Sequence, residues 1–172
     1  YFSLNGGKNN NVVNNVKNTN TYRTLNAEIG FLKSKENKFD LQLYFIPSKT
    51  RSVSSLRPDI VTKYWTTSSS LDGTVYFLKN FELNTRLTYQ WRQKTDVFGD
   101  DRNVVLWNAY LARKINKKKT AEIRLSVNDI LNQNIGFQRN ANSNFISENT
   151  YSTLRRYWLL GVIWNFNKNP GQ

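Results

Sequence analysis

The sequence predicts an all-β chain, an antiparallel transmembrane β-barrel, and three observations carry that expectation. Apolar and polar residues alternate with period two along stretch after stretch, which sets one kind of side chain on each face of a strand. These stretches run about 10 to 15 residues, whereas water-soluble strands usually have 5 to 6. The links between them alternate between long and short, as they do where tight turns mark one rim of a barrel and extended loops the other.

The closing stretch, Arg156 to Asn167, shows the pattern most fully. Trp158, Leu160, Val162, Trp164 and Phe166 share one face, with aromatics at its ends and aliphatics between. A tilted strand needs an apolar band of about 10 residues, rimmed by aromatics, to cross a bilayer.

Taken in order, Phe2 and Leu4 begin a partial first strand, and the Asn- and Gly-rich residues 6–20 read as a polar loop. From Tyr22, Leu25, Ala27, Ile29 and Phe31 face one way and Glu28 the other. After a charged turn at Lys33 to Lys38, Phe39, Leu41, Leu43 and Phe45 oppose Asp40 and Gln42, and Pro47 limits pairing. A polar stretch from Ser52 to Lys63 precedes the strand Tyr64 to Leu78, which holds Asp72.

Lys79-Asn80 has hairpin length. Phe81, Leu83, Thr85, Leu87, Tyr89 and Trp91 then oppose Glu82, Asn84, Arg86, Thr88, Gln90 and Arg92. Beyond the Gln93 to Asn103 loop, Val105, Trp107, Ala109 and Leu111 face out, with Arg113 on the same side close to a turn. The last turn, with Lys117 to Lys119, leads to Ala121, Ile123, Leu125 and Val127 set against Glu122 and Arg124, and a long loop from Leu131 to Thr150 follows. The expectation is seven full strands and part of an eighth in one unit over residues 1–172, with no second domain and with the last residues on the periplasmic side.

Composition narrows the function. The chain has no Cys, His or Met, and 25 Lys+Arg against 12 Asp+Glu. A Ser-His-Asp or Cys-His arrangement therefore cannot be built, and no metal-ligand cluster or phosphate-binding Gly loop stands out. The expectation is a protein that is not an enzyme and takes no cofactor or metal. The longest apolar runs fall far short of the 18 residues of a membrane-spanning helix.

The charges are informative by position. Glu28, Asp40, Asp72, Glu82, Arg86, Arg92, Glu122 and Arg124 all fall on the non-apolar face and are the candidates for lining a wet lumen. A charge on the lipid face near the midplane would cost about 2 to 4 kcal/mol. Trp91, Trp107, Trp158, Trp164 and Phe166 are the candidate membrane-interface aromatics. Arg51, Arg57, Arg102, Arg155 and Arg156 are candidates for pairing with the phosphates of an anionic glycolipid. Aromatics beside arginines also resemble a single-strand nucleic-acid platform, but their lipid-side placement favours an interfacial belt and no nucleic acid.

Two segments carry a family resemblance. Ser126-Val127-Asn128-Asp129-Ile130-Leu131-Asn132-Gln133-Asn134 is similar to an Asp-Leu-Leu-Asn-Gln-Asn stretch near the end of large outer-membrane barrel proteins of Bacteroidetes type. Arg156-Tyr157-Trp158-Leu159-Leu160, followed by Trp164-Asn165-Phe166-Asn167-Lys168, looks like their closing strand. The resemblance implies the C-terminal part of a TonB-dependent receptor-like barrel, a segment of a wall commonly of 22 strands around a plug domain. Its implied partners are outer-membrane lipid, the rest of the barrel, the plug, TonB and a surface lipoprotein. Two alternatives stay open: a soluble basic β-sandwich binding polyanions, and a complete small eight-stranded outer-membrane barrel.

Overall fold

The computed structural model describes residues 1–95, 102–141 and 146–165, with backbone alone for Arg102, 137–141 and 146–148. Its strands are β1 (Phe2–Val13), β2 (Val16–Ala27), β3 (Ile29–Lys35), β4 (Phe39–Ser54), β5 (Val61–Phe77), β6 (Phe81–Arg92), β7 (Arg102–Lys114), β8 (Ala121–Asn128), β9 (Gly136–Ala141), β10 (Ile146–Tyr151) and β11 (Tyr157–Trp164). One antiparallel sheet holds them in the order β1-β2-β4-β5-β6-β7-β8-β11, with β3 also on β4, while β9 and β10 form a separate hairpin.

β2 and β3 are one strand in all but the ladder. Asn26 pairs Ser48 and Ile29 pairs Phe45 in an unbroken register, so the skipped position sets Ala27 opposite Pro47. Counted this way the sheet has eight strands.

That count corrects the expectation of a partial first strand followed by a fifteen-residue loop. Phe2 to Val13 pair with Val16 to Ala27 over their full length. Asn14 and Asn15 turn the chain at φ 49° and 63°, the left-handed pair that a two-residue hairpin requires and that asparagine tolerates. Polar composition hid the strand, because Asn and Gly are depleted from strands in general. Half of the Ser52 to Lys63 stretch is likewise strand, leaving only residues 55–60 between β4 and β5.

Every register keeps the two faces apart. A line drawn across the sheet through paired residues runs Leu159, Ser126, Tyr110, Asn84, Thr74, Asp40, Ser34. The parallel line one residue over runs Trp158, Val127, Ala109, Thr85, Gly73, Leu41, Lys33. Each line enters at the start of β11 and leaves near the end of β3, so the strands slide steadily past one another, which is the stagger a barrel wall needs.

Burial is inverted relative to a water-soluble protein. The buried strand residues Ala112 and Glu122 lie on the polar face, whereas Leu83, Leu111, Ile123, Leu125, Leu160 and Val162 on the apolar face are exposed. No second layer covers that face among the described residues, which removes the β-sandwich alternative. The Asn14-Asn15 turn, the 55–60 loop, the end of β8 and the start of β11 share one rim, called here the loop side. The turns at 36–38, 78–80 and 115–120 share the other, the turn side.

Two glycines admit tyrosines on the polar face. A side chain at Gly7 would meet the Tyr22 hydroxyl at 2.8 Å and one at Gly30 the Tyr44 ring at 3.0 Å. Both pairs are in direct register, so each ring covers the strand segment its glycine leaves bare.

Candidate functional site: the charged wall of the sheet

The polar face carries a chain of hydrogen bonds and ion pairs from β3 to β8. Asp40 accepts from the Ser34 hydroxyl and, at 3.0 Å, from the Tyr76 hydroxyl. Asp72 holds Arg86, with Nη2 at 2.5 Å and Nε at 2.6 Å, and also accepts from Asn84 Nδ2 at 2.9 Å. Glu82 accepts from Tyr110 at 2.5 Å, and the Arg124 guanidinium lies 4.1 Å from the centre of the Tyr110 ring. Glu122 takes Lys114 on one oxygen and Arg124 at 2.5 Å on the other.

These arrangements follow from register. Asp72 stands directly opposite Arg86, and Glu122 opposite Lys114, with Arg124 two residues along its own strand. A carboxylate buried to 3% exposure is tolerable only when its charge is matched and its lone pairs are used. Glu122 meets both conditions.

Arg92 faces the same way, with its guanidinium 4.4 Å from the centre of the Tyr64 ring. Glu28 shares that face but is exposed, and its backbone pairs with Tyr1. The uncharged partners Ser34, Tyr76, Asn84 and Tyr110 were missed by reading charges alone, and the charge of Lys114 was passed over because it ends its strand. The signal for them was available in the even positions of the same alternation.

The aromatics expected at the membrane interface separate into groups. Trp158 and Trp164 stand at opposite ends of β11 and are exposed at 65% and 68%. Trp91 is near the loop-side end of β6. Trp107 instead lies mid-strand in register with Leu87, and its indole N–H donates to Thr85 Oγ1 at 2.7 Å. That bond satisfies the one polar group which would otherwise bar an indole from hydrocarbon. Phe166 lies outside the described residues.

The five arginines expected to meet glycolipid do not converge. Arg51 is on the apolar face of β4 and Arg57 in the 55–60 loop. Arg102 begins β7, with its side chain outside the described residues. Arg156 is tied to its own loop, donating to the Ile130 carbonyl at 3.2 Å and, through its backbone, to Asn132 Oδ1 at 3.3 Å. Arg155, beside it, is exposed.

The segment that suggested a family resemblance is a capped turn. Asp129 accepts from the backbone N–H groups of Gln133 at 2.9 Å and Asn134 at 3.0 Å, while its own N–H donates to Asn108 Oδ1 at 2.8 Å. It anchors the long link to the end of β8 and the middle of β7.

On the apolar face charges bracket the strand formed by β2 and β3 at both ends. Between Arg23 and Lys33, ten residues apart, that face of β2 and β3 shows only Leu25, Ala27, Ile29 and Phe31. At about 3.3 Å per residue and a tilt near 40°, such a span is about 25 Å high, the apolar thickness of an outer-membrane barrel. Arg113, which interrupts strict alternation, falls at the turn-side bracket of β7 with its guanidinium 5.3 Å from the Phe81 ring centre.

An open, staggered, single-layer antiparallel sheet with lipid-compatible residues on one face and a charged network on the other defines the wall of a transmembrane β-barrel. Residues 3–164 match the model of the outer membrane protein beta-barrel family. The chain belongs to that family, and the protein resides in the bacterial outer membrane. Comparison with curated proteins and with solved structures finds no match.

Proposed function

We propose that this chain is wall, lumen lining and external loops of a receptor or importer barrel of the TonB-dependent type, larger than eight strands. The observation that carries this reading is the open sheet: β1 and β11 make no contact with each other, and each leaves a row of backbone groups that lipid cannot satisfy. Further strands on both edges would satisfy them. The polar face also bears exposed apolar side chains, Leu32 at 61% and Leu159 at 54%, which suits a lumen occupied by a plug. The long loops then face outward and the tight turns face the periplasm.

One observation favours a second reading, a complete eight-stranded barrel, since β1 is a full strand. The chain has no cysteine, so introduced pairs meet no competing thiol within these residues. Leu4→Cys would be combined in turn with Trp158→Cys, Leu160→Cys and Val162→Cys in the full-length protein in its membrane. The expected result is no disulfide within the chain; a disulfide in any pair overturns the larger barrel. Import is tested separately. Cells lacking the protein and cells lacking TonB should leave the same solute unconsumed in a mixed medium, and a solute-uptake profile unchanged by both losses overturns the importer reading.

A further inference from the structure

On the polar face Arg86, Lys114 and Arg124 are paired with acids, whereas no cation of the apolar face forms an ion pair among the described residues. On the loop side of that face Arg23 stands opposite Arg51, and Arg51 opposite Lys63, which makes a row of three positive side chains across β2, β4 and β5. All three are exposed. Lys49 lies one outward-facing position below Arg51, with its ammonium 5.1 Å from the centre of the Trp65 ring. Lys8 stands across from Thr21, one outward-facing position above Arg23. Among the described residues none of the three in the row forms an ion pair.

Like charges placed directly opposite across a ladder destabilise a sheet. The inner wall shows that this fold can set an acid beside a base where it needs one, as at Asp72–Arg86. A doubly repulsive row persists when an external anion supplies the missing charge. Its height says which anion. The row is two residues, about 7 Å, beyond the Trp65 level, so it lies just past the aromatic rim. Below it the apolar face continues through Leu25 and Ala27 to a shallow groove lined by Ile29, Phe31, Leu43, Phe45, Leu71 and Leu87. Phosphate at the row and acyl chain along the groove describe one molecule with both parts.

We infer that Arg23, Arg51 and Lys63, with Lys49 beneath, hold the phosphates of a phosphorylated glycolipid in the outer leaflet. Two guanidinium forks and an ammonium in line match a headgroup with more than one phosphate. The site rests on the reading that the loop side faces outward. It replaces the scattered set of Arg57, Arg102, Arg155 and Arg156, of which none shares this row.

The test uses the full-length protein purified from outer membranes in mild detergent, with retained glycolipid counted by native mass spectrometry. Arg23→Gln/Arg51→Gln/Lys63→Gln is compared with wild type and with Lys117→Gln/Lys118→Gln/Lys119→Gln, which removes equal charge on the turn side. The row variant should lose retained glycolipid roughly tenfold or more, and the turn-side variant should retain it. Delipidated protein should rebind the phosphorylated glycolipid but not its dephosphorylated form. Inorganic phosphate should compete weakly, because it lacks the acyl chains. Undiminished retention in the row variant overturns the site, as does equal loss in both variants or equal rebinding of phosphatidylglycerol. If the triple variant does not fold, Arg51→Gln alone, at the centre of the row, gives the same readout. A heat-modifiable folded band and external labelling of the Asn14 turn report the barrel and its orientation independently, so failure of the site and failure of the wall reading are distinguishable.

Discussion

Pro47 stands opposite Ala27, at the position where β4 should donate an N–H to the strand formed by β2 and β3. Lys38 and Tyr76 are paired through the Tyr76 N–H and the Lys38 carbonyl, which fixes the even residues of β4 to point their backbone groups at β5 and the odd ones at β2 and β3. Pro47 is odd and has no N–H. The ladder opens there, while Glu28, one residue on, exchanges both its backbone groups with Tyr1, at 2.7 and 2.9 Å.

Pro47→Val is therefore expected to stabilise the sheet. It restores a donor to a position that lipid cannot hydrate and keeps an apolar, β-branched side chain on the apolar face, a net gain of about 1 kcal/mol. The check is the temperature at which the folded band disappears from a heat-modifiability gel, which should rise. An unchanged or lower temperature would mean that Ala27 finds its partner elsewhere.

The Asn14-Asn15 turn gives a prediction about orientation. Asn14→Cys should react with a membrane-impermeant maleimide on intact cells, whereas Lys79→Cys, in the 78–80 turn, should react only after the outer membrane is opened. The opposite pattern would reverse the barrel. At the same turn Asn15→Gly should be tolerated and Asn15→Val should cost about 1 to 2 kcal/mol, because only the latter resists a left-handed backbone. Amide exchange along β1 and β2 measures the difference.

Glu122 and Arg86 should respond differently to neutralisation. The Arg86 side chain is 64% exposed and that of Asp72 29%, so a double-mutant cycle on that pair should give a coupling of about 1 kcal/mol or less, weakened further by salt. Glu122→Gln leaves Lys114 and Arg124 facing each other beside a side chain only 3% exposed, and should cost about 3 kcal/mol or more. Denaturant midpoints of the folded protein in detergent separate the two cases, and equal losses would show that burial does not govern the wall.

The alternation made the facing of each strand legible in the sequence, since period two assigns a face without knowledge of the partner. It could not reveal strands whose outward residues leave the hydrocarbon. β1 and the far ends of β4 and β5 carry Gly6, Lys8, Asn10, Lys49, Arg51 and Lys63 there, and only their cross-strand partners make them strands. The candidate site divides in the same way. Asp72 and Arg86 were legible as residues of one face, but Arg23, Arg51 and Lys63 are far apart in sequence and meet only through register.

The sharpest test compares two neighbours on β4. Gln42 pairs with Asp72 on the polar face, and Leu43 pairs with Leu71 on the apolar one. Gln42→Arg adds a cation beside an acid in a wet interior and should assemble near wild-type levels. Leu43→Arg puts the same charge in hydrocarbon, about midway along β4 between Lys49 and the 36–38 turn, at a cost of about 2 to 4 kcal/mol, enough to deplete the folded band in outer membranes. The two substitutions share charge, strand and depth, so only the facing of the side chain separates them. Equal assembly of both would mean that Leu43 does not face lipid, and a defect confined to Gln42→Arg would turn the sheet inside out.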